Sequence, residues 1–174
     1  ALWELSAQTG TLNDFIFSSP LKIASCFLRM TEDKSIFLHI GVTMWETLLS
    51  FFLVVSVSLG AALLLWSWKS FADIAEPYLV ALNSLPKSAL APLLIVWLGN
   101  NRKTIIVAAV SVALFGSIMT LFTNFQQTDP EKIKLIRAFG GTRADVLFKV
   151  LLPSSVPVII SSMKVNVGLC LVGV

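Results

Sequence analysis

The chain has 174 residues, 56% of them hydrophobic and only 13% charged, with a formal net charge of +3 and a mean hydropathy of +0.83. An ordinary soluble domain carries about 25% charged residues, so one water-facing globule is excluded, and the absence of a basic stripe on a polar face excludes nucleic acid as the partner of the positive balance. Cys26 and Cys170, far apart, make neither a disulfide framework nor a metal site.

Residues 1–36 mix Trp3, Phe15, Phe17 and Phe27 with Glu4, Asp14, Lys22 and Arg29, and Ser18-Ser19-Pro20 breaks the stretch. That pattern predicts an external, interfacial segment with a short amphipathic helix at about 21–30. The first membrane span is expected at about 40–68. Residues 47–68 hold no charge, and a helix needs about 20 apolar residues to cross a hydrocarbon layer roughly 30 Å thick. Trp66 and Trp68 close this span as interfacial anchors. Ser56 and Gly60 stand one turn apart and offer a small-residue ridge to a neighbouring helix.

A polar turn is expected over 69–76, with Pro77 as the first residue of a second span at 77–98. Asn83, Ser84, Pro86, Lys87 and Pro92 interrupt that span, and its prolines remove backbone donors that lipid cannot replace. Two readings stay open at this point. Lys87 snorkels from a simple proline kink, or Asn83, Ser84, Pro86 and Lys87 line a translocation path, because an intramembrane charge costs about 2.5–3.5 kcal/mol on insertion scales. Residues 99–103 form a tight polar loop. The third span, 104–125, is uncharged, and Ala109, Ala113 and Ser117 give it a packing ridge.

The one long hydrophilic stretch between spans covers 126–153. Asp129 caps a helix with Pro130 at its first position, and Gly140-Gly141 ends it. Thr142 caps a second helix, with Asp145 three residues on as a variant capping box, and Pro153 is expected to stop it. Lys132, Lys134, Arg137, Arg143 and Lys149 give this stretch a cytoplasmic bias by the positive-inside tendency. The last span begins near Ser154 and contains Pro157 and Lys164. The first residue is not Met and residues 165–174 stop inside an apolar run, so the chain is expected to be a fragment lacking its first and last helices.

Two short helices joined at a glycine, then Leu-Pro and a new span, resemble the cytoplasmic loop of the type I ABC importer permeases. That family's pattern is Glu-Ala-Ala, three residues, Gly, and a Leu-Pro pair about a dozen residues later. Gly140 fits the glycine, Leu152 and Pro153 the pair, and Arg137-Ala138-Phe139 and Pro157 also look like the family. The run from Leu85 through Pro86, Lys87 and Pro92 to Trp97-Leu98-Gly99 is similar to the nitrate, sulfonate, taurine and pyrimidine-precursor branch. Trp3 and Ser19-Pro20 stand where that branch has them. Lys134, Leu135 and Ile136 depart from the pattern by replacing Glu-Ala-Ala, which puts a cation where the family has an anion.

The resemblance implies an all-α, multi-pass transmembrane helical bundle over 37–174 in a bacterial inner membrane, with no cofactor, no metal and no catalytic residue. It implies a loop that docks on a separate cytoplasmic ABC ATPase subunit through Lys134, Leu135, Ile136, Arg137, Ala138, Phe139, Gly140, Thr142, Arg143, Leu152 and Pro153. It also implies a second permease copy in a homodimer and an extracytoplasmic substrate-binding protein that delivers a small anion or organic solute. No Gly-x-x-x-x-Gly-Lys-Ser/Thr sequence is present, so ATP hydrolysis belongs to the partner. An ion-coupled secondary transporter is the alternative, but such proteins use midplane carboxylates or broken helices, and Glu46, near one end, is the only carboxylate in the spans. An intramembrane enzyme lacks support: His39 is the single histidine, and no Gly-x-Ser-x-Gly or His-Glu-x-x-His is present.

Overall fold

A computed structural model of the chain describes residues 3 and 18–174, with backbone alone at 87–89, and the elements along 20–173 are all helical. Two compact units divide at residue 44. In the first, α1 (Pro20–Glu32) starts as its sequence dictates: the Ser19 hydroxyl accepts from the Lys22 amide at 3.3 Å, and Pro20 occupies the first turn. Leu21, Ile23, Phe27 and Leu28 are exposed and no residue of α1 is buried. This is the expected interfacial helix. The expected roles of Glu4, Asp14, Phe15 and Phe17 lie outside the described residues.

α2 (Ser35–Ser67) runs from the first unit into the second, which also holds α3 (Lys69–Ser84), α4 (Lys87–Leu98), α5 (Arg102–Gln126), α6 (Pro130–Ala138) and α7 (Arg143–Val146). A π turn, Leu147–Leu151, joins α7 without a break to α8 (Leu152–Gly173). Three helical stretches are long and apolar enough to cross a membrane: Ser35–Ser67, Arg102–Gln126 and Arg143–Gly173. Only 22–33% of their most apolar windows is buried, so most of their surface meets lipid or other helices.

Four sequence expectations need correction. Residues 69–76 are helical rather than a turn, and Pro77 lies inside α3 rather than at a helix start. The 77–98 span is two helices, of 16 and 12 residues, parted at Leu85 and Pro86. The break falls there because a residue before proline is driven out of the helical region, and Leu85 takes ψ 139°. Pro153 does not stop the helix that Thr142 caps. Having no N–H for the Lys149 carbonyl, it is accommodated by a widened turn, in which the Leu152 amide reaches back to Leu147. Finally, Ser56 and Gly60 are exposed; Val54, Ser58, Ala62 and Leu65 form the buried stripe of α2 instead.

The core lies along α5. Ala62 and Leu65 of α2 pack with Ile118, Leu121, Phe122 and Phe125, and Leu151 seals that end; Val54, Ala113 and Cys170 cluster nearer the other. The expected ridge on α5 is real: Ala109, Ala113 and Ser117 are all buried. A Cβ on Gly173 would stand 2.5 Å from Ala109 Cα, so α8 crosses α5 at backbone distance. These pairings fix direction. Glu46 meets Arg102, Val54 meets Ala113 and Ser58 meets Ser117, so α2 and α5 run parallel. Ser117 meets Asn166 and Ala109 meets Gly173, so α8 runs antiparallel to both. Parallel neighbours require the chain between them to return across the same thickness. α3 and α4, about 24 and 18 Å long at 1.5 Å per residue, make that return together.

Candidate functional site: the loop at the shared end of three helices

The C-terminal ends of α2 and α5 and the start of the α7–α8 rod share one end of the bundle. Arg143 donates from Nη1 to the Ser67 carbonyl at 3.4 Å, tying the loop after α6 to the last turn of α2. Between the α2–α3 corner and the two short helices lies a cleft of about 820 Å³, lined by Trp66, Trp68, Phe71, Ile133, Arg137 and Arg143 among others.

α6 is short and bounded at both ends. The Asp129 carboxylate accepts from the Glu131 amide at 2.9 Å, and Pro130 opens the helix. At the other end the Gly140 amide bonds the Arg137 carbonyl and the Gly141 amide bonds the Ile136 carbonyl, both at 2.9 Å, with Gly140 at φ +78°. That is a Schellman termination. A side chain on Gly140 would enter open space but sit in the left-handed region. One on Gly141 would stand 2.7 Å from the Ile136 carbonyl oxygen and 2.5 Å from its Cγ2. The second glycine's tightness has no sequence signal beyond the Gly-Gly pair itself.

Thr142 and Asp145 then form the expected capping box. The Thr142 amide and hydroxyl both donate to Asp145 Oδ2, at 2.9 and 2.7 Å, and the Asp145 amide donates to the Thr142 hydroxyl at 3.3 Å. Lys149, one turn on, pairs with Asp145 Oδ1 at 2.6 Å. Two rigid caps thus set the angle between α6 and α7.

Of the residues assigned to this loop, Ile136 is half-buried, as is Ile133, whereas Lys134, Leu135, Arg137, Ala138 and Phe139 are exposed. Leu135 and Phe139, one turn apart, are 56% and 82% exposed; such an apolar pair on a loop tip is a feature water disfavours. Leu152 is half-buried and Pro153 exposed at the start of α8, away from the α6 tip. The residues assigned to a path are less unified. Asn83 and Ser84 end α3, Pro86 lies in the break, and Lys87 opens α4. Ser84 donates to its own helix at Ala81, 2.8 Å away. The Asn83 side-chain oxygen lies against Gly116 of α5, 3.3 Å from where a Cβ would be.

Sequence reasoning missed a buried polar relay at mid-bundle. Asn166 Nδ2 donates to the Ser117 hydroxyl at 2.9 Å, Ser117 donates to Ser58 at 3.1 Å, and Ser58 donates to the Val55 carbonyl at 3.3 Å. Ser162 joins at 3.2 Å. Isolated serines in apolar runs are too common to flag such a relay. Only the helix pairing assembles it. Toward the other end, Glu46 is buried, with Oε1 3.9 Å from Arg102 Nε and without a hydrogen bond among the described residues.

Three parallel and antiparallel spans with a doubly capped loop at one end match known proteins. Residues 53–174 match the family described as binding-protein-dependent transport system inner membrane component, and the chain belongs to that family. It is 27% identical over 172 residues to a probable ABC transporter permease protein of Haemophilus influenzae, covering 99% of this chain and 69% of that protein. It is 25% identical to the formylaminopyrimidine transport permease protein ThiX of Halalkalibacterium halodurans, covering 99% and 68%. It is 21% identical over 137 residues to the taurine transport system permease protein TauC of Escherichia coli, covering 78% and 50%. The chain thus spans between half and about two thirds of these relatives' lengths, and it is an inner-membrane permease component of the ABC importer type.

Proposed function

We propose that this chain forms part of the path by which a small anion or organic solute crosses the inner membrane, and that the loop at 126–153 couples that path to a separate ATPase subunit. The observation that carries the coupling role is the exposed Leu135–Phe139 pair on a short helix locked at both ends. Rigid caps transmit a push, and an apolar tip needs a partner's groove. Lys134, Arg137, Ala138, Gly140, Thr142 and Arg143 complete the docking surface and its hinge, with Leu152 and Pro153 at the root of α8. The Arg143 link to Ser67 gives the loop a handle on α2. Asn83, Ser84, Pro86 and Lys87, at the break between α3 and α4, contribute to the path.

In this reading a second copy of the permease supplies the other wall, and an extracytoplasmic binding protein delivers the substrate. The relatives' names, formylaminopyrimidine and taurine transport, support a small polar solute as cargo. Residues 126–153 and 69–76 face the cytoplasm, and 99–103 and the segment 1–36 face outward. A direct test replaces the apolar tip. Phe139→Glu is expected to insert and accumulate normally, because its side chain touches no buried core, yet to lose co-purification with the ATPase and substrate uptake together. A Phe139→Glu protein that retains both would remove the loop from the coupling role.

A further inference from the structure

Lys164 is a cation at mid-membrane depth with no counterion. Ser58 and Ser117 sit near the middle of the uncharged runs 47–68 and 104–128, and Asn166 and Ser162 of α8 bond to Ser117. Lys164 lies between those two residues in sequence, so it shares their depth. Two residues along a helix turn about 200°, so Lys164 points away from the relay that Ser162 and Asn166 enter. It is exposed and forms no ion pair among the described residues. A four-carbon stem cannot carry its charge across half of a roughly 30 Å hydrocarbon layer to the headgroups. A lysine facing lipid there costs about 2.5–3.5 kcal/mol.

The same face of α8 is not lipid-like over its length. Ser154, Pro157, Ser161, Lys164 and Gly168 recur at spacings of three and four, and all five are exposed. No neighbour lies within 4 Å of a Cβ placed on Gly168, which leaves room one turn from the ammonium. The opposite face of the helix, with Ser155, Asn166 and Cys170, is buried against α2 and α5. One helix therefore presents a packed side and a polar, charged side at the depth where a solute must be handed across. Water in a path, and not lipid, suits the second.

We propose that Lys164 lines the substrate path and that the solute carries negative charge where it passes this residue. The inference rests on the reading of this bundle as a transport path, and it adds the residue and the sign of the cargo. A fixed cation in a narrow, low-dielectric passage concentrates anions and repels cations.

The test uses small charged thiol reagents on the full transporter in membranes, in a Cys26→Ser background. Ser161→Cys, close in size to the native serine, places a thiol one turn from Lys164; Gly168→Cys does so on the other side. The negatively charged ethylsulfonate methanethiosulfonate is expected to react about tenfold faster than its trimethylammonium counterpart, after correction for their rates with a free thiol. Lys164→Gln should erase that preference, and Lys164→Arg should restore it. If neither thiol reacts while a cysteine at Asn100 labels normally, the face meets lipid or protein and the inference fails. If both react without charge preference, or the preference survives Lys164→Gln, Lys164 is not the anion-selecting residue. None of these outcomes depends on the ATPase, so the coupling role stands or falls separately on Phe139→Glu.

Discussion

Gly140 and Gly141 are neighbours that answer to different constraints. Gly140 has open space around it, but its φ of +78° strains any β-branched residue, at roughly 1–2 kcal/mol. Gly141 is held by contact, since even a methyl group would press on the Ile136 carbonyl that its own amide bonds. Gly140→Asn is therefore expected to be mild, because Asn tolerates the left-handed region, and Gly140→Val severe. Gly141→Ala is expected to loosen α6 although alanine is an excellent helix former. Hydrogen exchange at the amides of Leu135 to Ala138 reads this directly, and unchanged protection in Gly141→Ala would show that the turn relaxes at no cost. Lys134, exposed on the same helix, stands where relatives of this type carry an anion. An acidic groove on the ATPase is the complement that this predicts. Lys134→Glu should then weaken the complex more than Lys134→Gln, and salt should narrow the difference. Equal effects of the two at low salt would remove the charge pairing.

At the scale of elements, the spans are held by close approach and a few hydrogen bonds, because lipid is as apolar as leucine and gives helices no hydrophobic reason to associate. Ala109 lets Gly173 approach, Ala113 sits against Val54 and Cys170, and Ser117 is the hub through which Asn166 and Ser58 connect. A cavity of about 10 Å³ at that hub is at the lower limit for one water. Ser117→Ala leaves the Asn166 amide short of its best acceptor and cuts the link to Ser58. Interhelical hydrogen bonds in membranes average about 0.6 kcal/mol and reach about 1.7. Ser117→Ala should cost an amount in that range in reversible unfolding by a denaturing detergent, and Ser117→Thr, which keeps the hydroxyl, should cost less. A Ser117→Ala protein as stable as the parent would mean that Ser162 takes over the whole relay.

At the scale of the molecule, parallel α2 and α5 place the 99–103 loop and the 126–153 loop at opposite ends of the bundle. A cysteine at Asn100 should react with a membrane-impermeant thiol reagent in whole cells in the Cys26→Ser background. One at Gln127 should react only after the membrane is opened. The reverse pattern would invert the orientation and take the ATPase-docking role with it. The long rod from Arg143 to Gly173 has a consequence at the same scale. It reaches, without a break, from the loop that carries Arg143 through the π turn to Lys164. A tilt imposed at the loop is thus passed to the proposed path by one continuous element.

What the sequence determined is what local chemistry decides. Charge-free runs set the spans at 47–68 and 104–125, since no other solvent accepts them. Asp129-Pro130, Gly140 and the Thr142–Asp145 pair set the ends of the short helices, since caps act within four residues. The order of loop glycine and Leu-Pro pair pointed to the permease family. Tertiary structure alone decided the rest. A proline can stop a helix, bend it or be absorbed by a wider turn, and Pro86, Pro77 and Pro153 show three different outcomes, set by whether neighbouring turns can re-pair the orphaned carbonyl. Which serines become glue and which face away is equally invisible locally. Ser117 and Ser162 meet Asn166 because α8 runs antiparallel along α5, whereas Ser161 and Lys164, a fraction of a turn away, look outward. The rotation of a helix about its axis is fixed by its neighbours, and in an almost uniformly apolar sequence no amphipathic stripe announces it beforehand.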